Sequence, residues 1–168
     1  MELIELPDLT DEHRAQLEGD EEDPFDGARS NFVFQPKEVR VALQDGDRLV
    51  AAAGWLHVEV EVAGTRFPVL GVGGVIVNAD HRGRGLARRV VEEVLERADK
   101  DGADFALLFC LDDRAGLYRK LGFTEIAAPV TVDQPGGPKR MQLLAMWRAL
   151  APEARWPDGP VRLHGKPF

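Results

Sequence analysis

"VGGVIVNADHRGRGLARRVVEEVLERADKDGADFALLFC", residues 72–110, decides the fold. It opens on a short apolar run, passes through a turn rich in glycine and arginine, and settles into a helical pattern. In that pattern Leu86, Val90, Val91, Val94, Leu95 and Ala98 share one face. Gly102 supplies a C-terminal stop. "ADFALLFC" then reads as a short strand buried on both faces, the kind found in parallel pairs. Strand, crossover helix and strand form the unit that joins two parallel neighbours. The paired Gly73 and Gly74 inside the first strand predict a bulge or a close backbone approach.

Upstream, residues 39–77 alternate or run apolar and are punctuated by "DG" and "AG", which are hairpin signals and imply about three antiparallel strands. "HVEVEV" alternates strictly, so Val58, Val60 and Val62 face one way and His57, Glu59 and Glu61 the other. "ELIEL" predicts a first short strand, and "TDEHRAQLEG" a helix capped by Thr10. Residues 18–31, "EGDEEDPFDGARSN", read as an acidic loop. Downstream, "RAGLYRKLGF" predicts a second, shorter helix ending at a glycine, and "KRMQLLAMWRAL" a late strand. No internal repeat is evident.

A chain of 168 residues suits one domain, 1–168. With 44% apolar and 30% charged residues it has the composition of a globular protein. It holds no apolar run near the roughly 18 residues that cross a bilayer, and "MELIELPDL" lacks the features of a signal peptide, so a cytoplasmic location is expected. Cys110 is the sole cysteine, which rules out an internal disulfide and a cysteine-built zinc site; no metal is expected. Its expected role is that of a small buried apolar residue. The net charge of −8 opposes attraction to nucleic acid and suits cationic small molecules.

Four arginines, Arg82, Arg84, Arg88 and Arg89, crowd the start of the central helix. The N-terminus of a helix carries partial positive charge and unpaired N–H groups, so each cation there costs roughly 0.3–1 kcal/mol. A Walker phosphate loop needs Gly-x-x-x-x-Gly-Lys-Ser/Thr, and a dinucleotide fingerprint needs a third glycine where Arg88 stands. Neither pattern is present. Two readings remain: a tight turn with solvated arginines, or an anion site in which Gly83 and Gly85 let the backbone approach a ligand. A diphosphate would offset the mutual repulsion of the arginines.

Arg82, Gly85 and Ala87 match the pattern Gln/Arg-x-x-Gly-x-Gly/Ala, and "LYRKLGF", residues 117–123, follows at the separation expected after one strand. Together these resemble the two motifs of the GNAT (GCN5-related) N-acetyltransferases over roughly residues 38–126. The implied fold is α/β: a mixed, mostly antiparallel sheet with a parallel pair at a splay, flanked by helices. The resemblance further implies that main-chain amides of Arg82, Gly83, Arg84, Gly85, Leu86 and Ala87, with Arg88 beside them, hold the pyrophosphate of acetyl-CoA. Val75, Ile76 and Val77 would pair with its pantetheine arm like an added strand. Tyr118, the only tyrosine, stands at the family's general-acid position.

The hairpin before the glycine-rich strand, "LLFC", and the tail "RWPDGPVRLHGKPF" are similar to the aminoglycoside 2'-N-acetyltransferase-like branch. In that branch a glutamate occupies the position of Gly73; Leu111 likewise stands where the family often has asparagine. Candidate bases are therefore His57, Glu59, Glu61 or a water chain. Residues 149–168 are expected to dock as a tail beside the acceptor pocket or in a homodimer contact. The implied partner is a small amine, cationic and aminoglycoside-like, polyamine or amino-acid-like, recruited with help from Asp20, Glu21, Glu22, Asp23 and Asp26. The alternative is a noncatalytic acyl-CoA-binding module of the same fold.

Overall fold

The computed structural model describes residues 1–25, 31–98 and 102–168. Asp26 lies outside the described residues. Strand β1 (Glu2–Leu6) leads to helix α1 (Asp11–Glu18), where Thr10 and His13 form a reciprocal capping box. Three antiparallel strands follow: β2 (Val39–Asp45), β3 (Arg48–Val62) and β4 (Thr65–Val77). Their two turns are those anticipated. Gly46 has φ +64°, and Ala63 and Gly64 both have positive φ, the conformation a two-residue hairpin loop needs to match strand twist. "HVEVEV" and "VGGVIV" are the later parts of two long strands, β3 and β4, that together make one extended hairpin.

Helix α2 (Leu86–Ala98) buries Leu86, Val90, Val91, Val94, Leu95 and Ala98, the same six residues the spacing picks out. Gly102, with φ +77°, stands beyond it. The chain continues through β5 (Phe105–Cys110), α3 (Ala115–Lys120), β6 (Thr124–Glu125), β7 (Val130–Val132), β8 (Lys139–Arg140), β9 (Leu144–Ala149) and β10 (Val161–His164). The sheet order is β6-β9-β5-β4-β3-β10-β7-β8, with β1 and β2 extending from one half of β3. β4 and β5 run parallel, as expected; β7 and β10 form a second parallel pair that the sequence does not announce. The expected tail is thus partly sheet, since β10 pairs with β3 from Val161↔Val62 to His164↔Glu59.

Two large apolar clusters lie on the sheet. One packs α2 and α3 against β2–β5 through Val41, Leu70, Val90, Val94 and Leu108. The other gathers Val58, Val60, Val62, Leu107, Leu163 and Phe168, with Trp147 and Trp156 packed on it. Trp156 meets the Phe105 and Phe67 rings edge-on at 5.2 and 5.6 Å, which fixes the segment before β10. Cys110 is buried in the first cluster with its thiol 3.9 Å from Met146 Sδ, and burial pushes its pKa up to about 11. No helix among the described residues is long and apolar enough to cross a membrane.

Candidate active site

The site is made by a failure of pairing. β4 and β5 share only Leu70↔Ala106 and Gly71↔Leu107, after which the two strands part. On its other edge β4 loses register with β3 between Gly54↔Gly73 and Ala52↔Ile76, leaving Gly74 and Val75 in a bulge; Gly74 has φ +62°. The glycine pair therefore supplies the predicted bulge, and, as described below, a close approach as well.

Two cavities open along the parting strands. The first, about 480 Å³, is lined by Val75, Ile76 and Val77, by His81, Arg82, Gly83, Gly85, Leu86, Ala87 and Arg88 at the start of α2, and by Leu117 and Tyr118 of α3. All of the expected cofactor-binding positions lie here except Arg84, whose guanidinium donates to the Asp80 carbonyl at 3.3 Å. Gly83 and Gly85 have φ of +75° and +74° with open space around them, and Gly85 brings no capping side chain to the helix start. First-turn N–H groups with no acidic side chain in that turn make an anion-receptive end. Two of the four arginines have carboxylate partners: Arg82 pairs with Glu21 at 2.5 Å, and Arg88 with Glu92 at 2.7 Å. These pairs lessen the repulsion that the sequence implied.

The second cavity, about 340 Å³, lies on the other side of the bulge. Phe25, Phe34, Phe109, Leu143 and Phe168 give it an aromatic and apolar wall; Lys37 and Arg114 are its charged residues. Val75, Arg114 and Tyr118 line both cavities, so the two spaces meet at Tyr118. Tyr118 is 9% exposed, and burial, reinforced by Cys110 and opposed by Arg114, pushes its pKa up to about 12. The phenol is therefore fully protonated at neutral pH.

The other base candidates stand elsewhere. Glu59 pairs with Arg66 at 2.6 Å, Glu61 faces His164 at 3.8 Å, and His57 Nδ1 meets Glu38 at 3.0 Å; none of the three lines either cavity. The alternation that put them on one face was correct, but Glu59 and Glu61 lie where β3 pairs with β10, and His57 is opposite Leu70, where β4 is still paired with β5. Lys37, Arg114 and Phe109 are among the lining residues that sequence reasoning missed, whereas Phe168 belongs to the tail expected beside the acceptor pocket. The lone Gly54 within "AAAGW", with Gly73, signals Lys37 alone, since a strand glycine often marks a close approach.

The position of the branch glutamate is physically filled. A Cβ on Gly73 would stand 2.8 Å from Lys37 Cε and 3.0 Å from the Phe168 carbonyl carbon and oxygen. One on Gly71 would strike the Phe168 ring at 2.7 Å. Gln35 straps this segment by donating its main-chain N–H to the Pro167 carbonyl at 2.7 Å and its side-chain amide to the Lys166 carbonyl at 2.6 Å. Restoring a glutamate by Gly73→Glu is expected to overpack the junction and destabilise the fold by about 1–3 kcal/mol, measured by denaturant unfolding, without raising turnover.

Residues 13–126 match the family model described as an acetyltransferase (GNAT) domain. The chain belongs to the GNAT family. Its fold is shared with a GNAT family N-acetyltransferase (YhbS) from Escherichia coli solved in complex with CoA, at TM-score 0.63 and 22% identity over 96% of this chain and 89% of that one. It is shared also with the ribosomal-protein-S18-alanine N-acetyltransferase of Escherichia coli, at TM-score 0.54 and 16% identity, covering 92% and 99% of the two chains. A curated relative, glucosamine 6-phosphate N-acetyltransferase 1 of Oryza sativa subsp. japonica, is 38% identical over 76 residues, 45% of this chain. The GNAT chain spans about half the length of that relative, 46%.

Proposed function

We propose that the protein is an acetyl-CoA-dependent N-acetyltransferase that acetylates a primary amine of a small acceptor by direct attack in a ternary complex. The observation that carries this reading is the meeting of the two cavities at Tyr118, one bordered by an anion-receptive helix start and the other by an aromatic wall. The residues of the first cavity fit the donor. Main-chain N–H groups from Arg82 to Ala87, with Arg88, would hold its pyrophosphate. Beyond Gly71 the edge of β4 facing β5 has no strand partner, so Val75, Ile76 and Val77 offer main-chain groups to the pantetheine arm.

Acetyl-CoA supplies an activated thioester; the chain's own groups supply orientation and a proton. Tyr118 would hold its phenolic proton until the departing thiolate takes it; the raised pKa keeps the phenol protonated beforehand and makes it a weaker donor than a free phenol. Gly74 and Val75, out of register with β3, are the candidate main-chain donors to the developing oxyanion. No acidic side chain lines the second cavity among the described residues, so the amine arrives neutral or loses its proton through water.

The family match and the rice relative, whose name specifies a small-molecule amine, support this reaction type. A noncatalytic acyl-CoA-binding module would share the first cavity but has no use for a buried phenol at the junction. Mixing the protein with acetyl-CoA and a panel of amines is expected to release free CoA thiol in an amine-dependent manner. Binding of acetyl-CoA without turnover of any amine would favour the noncatalytic module.

A further inference from the structure

Lys37 reaches the second cavity by an unusual route. It lies between Pro36 and Glu38, ahead of β2, and its side chain crosses the sheet over Gly54 and Gly73, which face one another as a register pair on β3 and β4. A Cβ on Gly54 would stand 2.8 Å from Lys37 Cγ and 2.9 Å from its Cβ, and one on Gly73 would stand 2.8 Å from its Cε. Two glycines opposite each other in the centre of a sheet forgo cross-strand side-chain packing. What they leave here is a notch occupied by the lysine stem, which lines the same cavity as Phe34, Phe109, Phe168 and Tyr118.

The cation at the end of that stem is poorly satisfied. Its Nζ reaches the Gln35 carbonyl at 3.5 Å, the limit of a hydrogen bond, and no acidic side chain among the described residues pairs with it; the Phe168 main-chain carbon and oxygen lie against the same Gly73 position as its Cε. Burial, with the Arg40 guanidinium nearby, pushes its pKa down to about 8. Lys37 is half-buried, and partial desolvation already penalises an unpaired charge. Arg114 adds a second cationic side chain to the same wall, and the acidic residues Asp20, Glu21, Glu22 and Asp23 do not line it. A polycationic acceptor would meet two cations and an aromatic wall there; an amine that also bears an anion would meet a partner.

We propose that the acceptor is a primary amine carrying an anionic group, a carboxylate or a phosphate, and that Lys37, threaded through the Gly54–Gly73 notch, selects it. The proposal rests on the acetyltransferase reading and narrows its substrate class. The anion pairs with the Lys37 ammonium while the acceptor's amine points past the bulge towards Tyr118.

The test uses the whole chain and amines matched in body but differing in the anion: phenethylamine against phenylalanine, and glucosamine against glucosamine 6-phosphate, with kanamycin as a polycation. Thiol release and calorimetric binding are measured for the wild type, Lys37→Met and Lys37→Arg. At least one anionic amine is expected to exceed its partner in kcat/KM by about 10- to 100-fold, the range a charge-assisted hydrogen bond supplies. The carboxylate and phosphate pairs show which anion is read. Lys37→Met is expected to erase that preference by raising KM for the anionic member while its partner stays within about twofold, and Lys37→Arg to restore part of it.

Preference for kanamycin or for the anion-free partners overturns the proposal. Equal slowing of both members by Lys37→Met also overturns it and assigns Lys37 to the amine proton. A fall in Tm with unchanged kinetics overturns it by assigning Lys37 to holding the Phe168 segment. If acetyl-CoA fails to bind, the acetyltransferase reading fails; calorimetry of the anionic amines on the free protein still decides the role of Lys37, and absence of any Lys37-dependent binding overturns it.

Discussion

Tyr118→Phe is expected to lower turnover by about 10²- to 10⁴-fold while leaving CoA affinity unchanged, corresponding to roughly 2.7–5.5 kcal/mol of transition-state stabilisation. The substitution removes one oxygen and keeps the ring, so the edge-on contact with Phe123 at 6.1 Å persists and the fold is retained. Loss in kcat with an unchanged CoA dissociation constant separates a proton donor from a cavity wall, because a wall residue changes binding as well. The raised pKa adds a pH signature. The phenol favours the folded state below its ordinary value of 10.0, and that contribution is lost as pH rises from there through about 12. An alkaline fall in rate well below pH 10 therefore belongs to another group. Wild-type turnover in the Tyr118→Phe variant would overturn the assignment of the acid.

Arg84→Glu combined with Arg88→Glu is expected to abolish the rise in Tm that CoA produces, without unfolding the free protein. Binding to the native state alone stabilises it by about 2.7 kcal/mol at a ligand concentration about 100 times the dissociation constant, so the wild-type shift is large enough to read. Reversing two charges at the start of α2 replaces attraction for a diphosphate with repulsion. The free helix tolerates the change because its own dipole favours carboxylates there by a few tenths of a kcal/mol each, which offsets the lost Arg88–Glu92 pair and the new repulsion between residues 88 and 92. The expected readout is an unshifted melting curve with CoA and a near-native one without it. A retained CoA shift would return these arginines to the role of solvated surface residues.

Much of this was legible because it is local. The six buried positions of α2, the Thr10 cap of α1, the alternation in "HVEVEV" and the tight turns at residues 46 and 63–64 all follow from periods of 3.6 or 2 and from backbone preference over a few neighbours. The glycine turn before α2 was legible for the same reason, since Gly83 and Gly85 adopt the positive φ that glycine takes at no steric cost. Less followed from periodicity where strands choose partners. Glu59 and Glu61 were placed on the right face of β3, but their distance from Tyr118 depends on where β3 pairs with β10 and where β4 leaves β5.

The crossover unit, the antiparallel hairpins around it and the glycine turn that opens α2 are written in the order of residues, because each depends on neighbours within one or two turns of chain. What surrounds Tyr118 is settled by assembly instead. Lys37, Gly54, Gly73 and Phe168 come together through sheet register and the docking of the last residues on Gly71, a result of many weak contacts summed over the whole molecule. No local period encodes such a meeting, so the Lys37 side chain in the Gly54–Gly73 notch became visible only once the sheet was assembled.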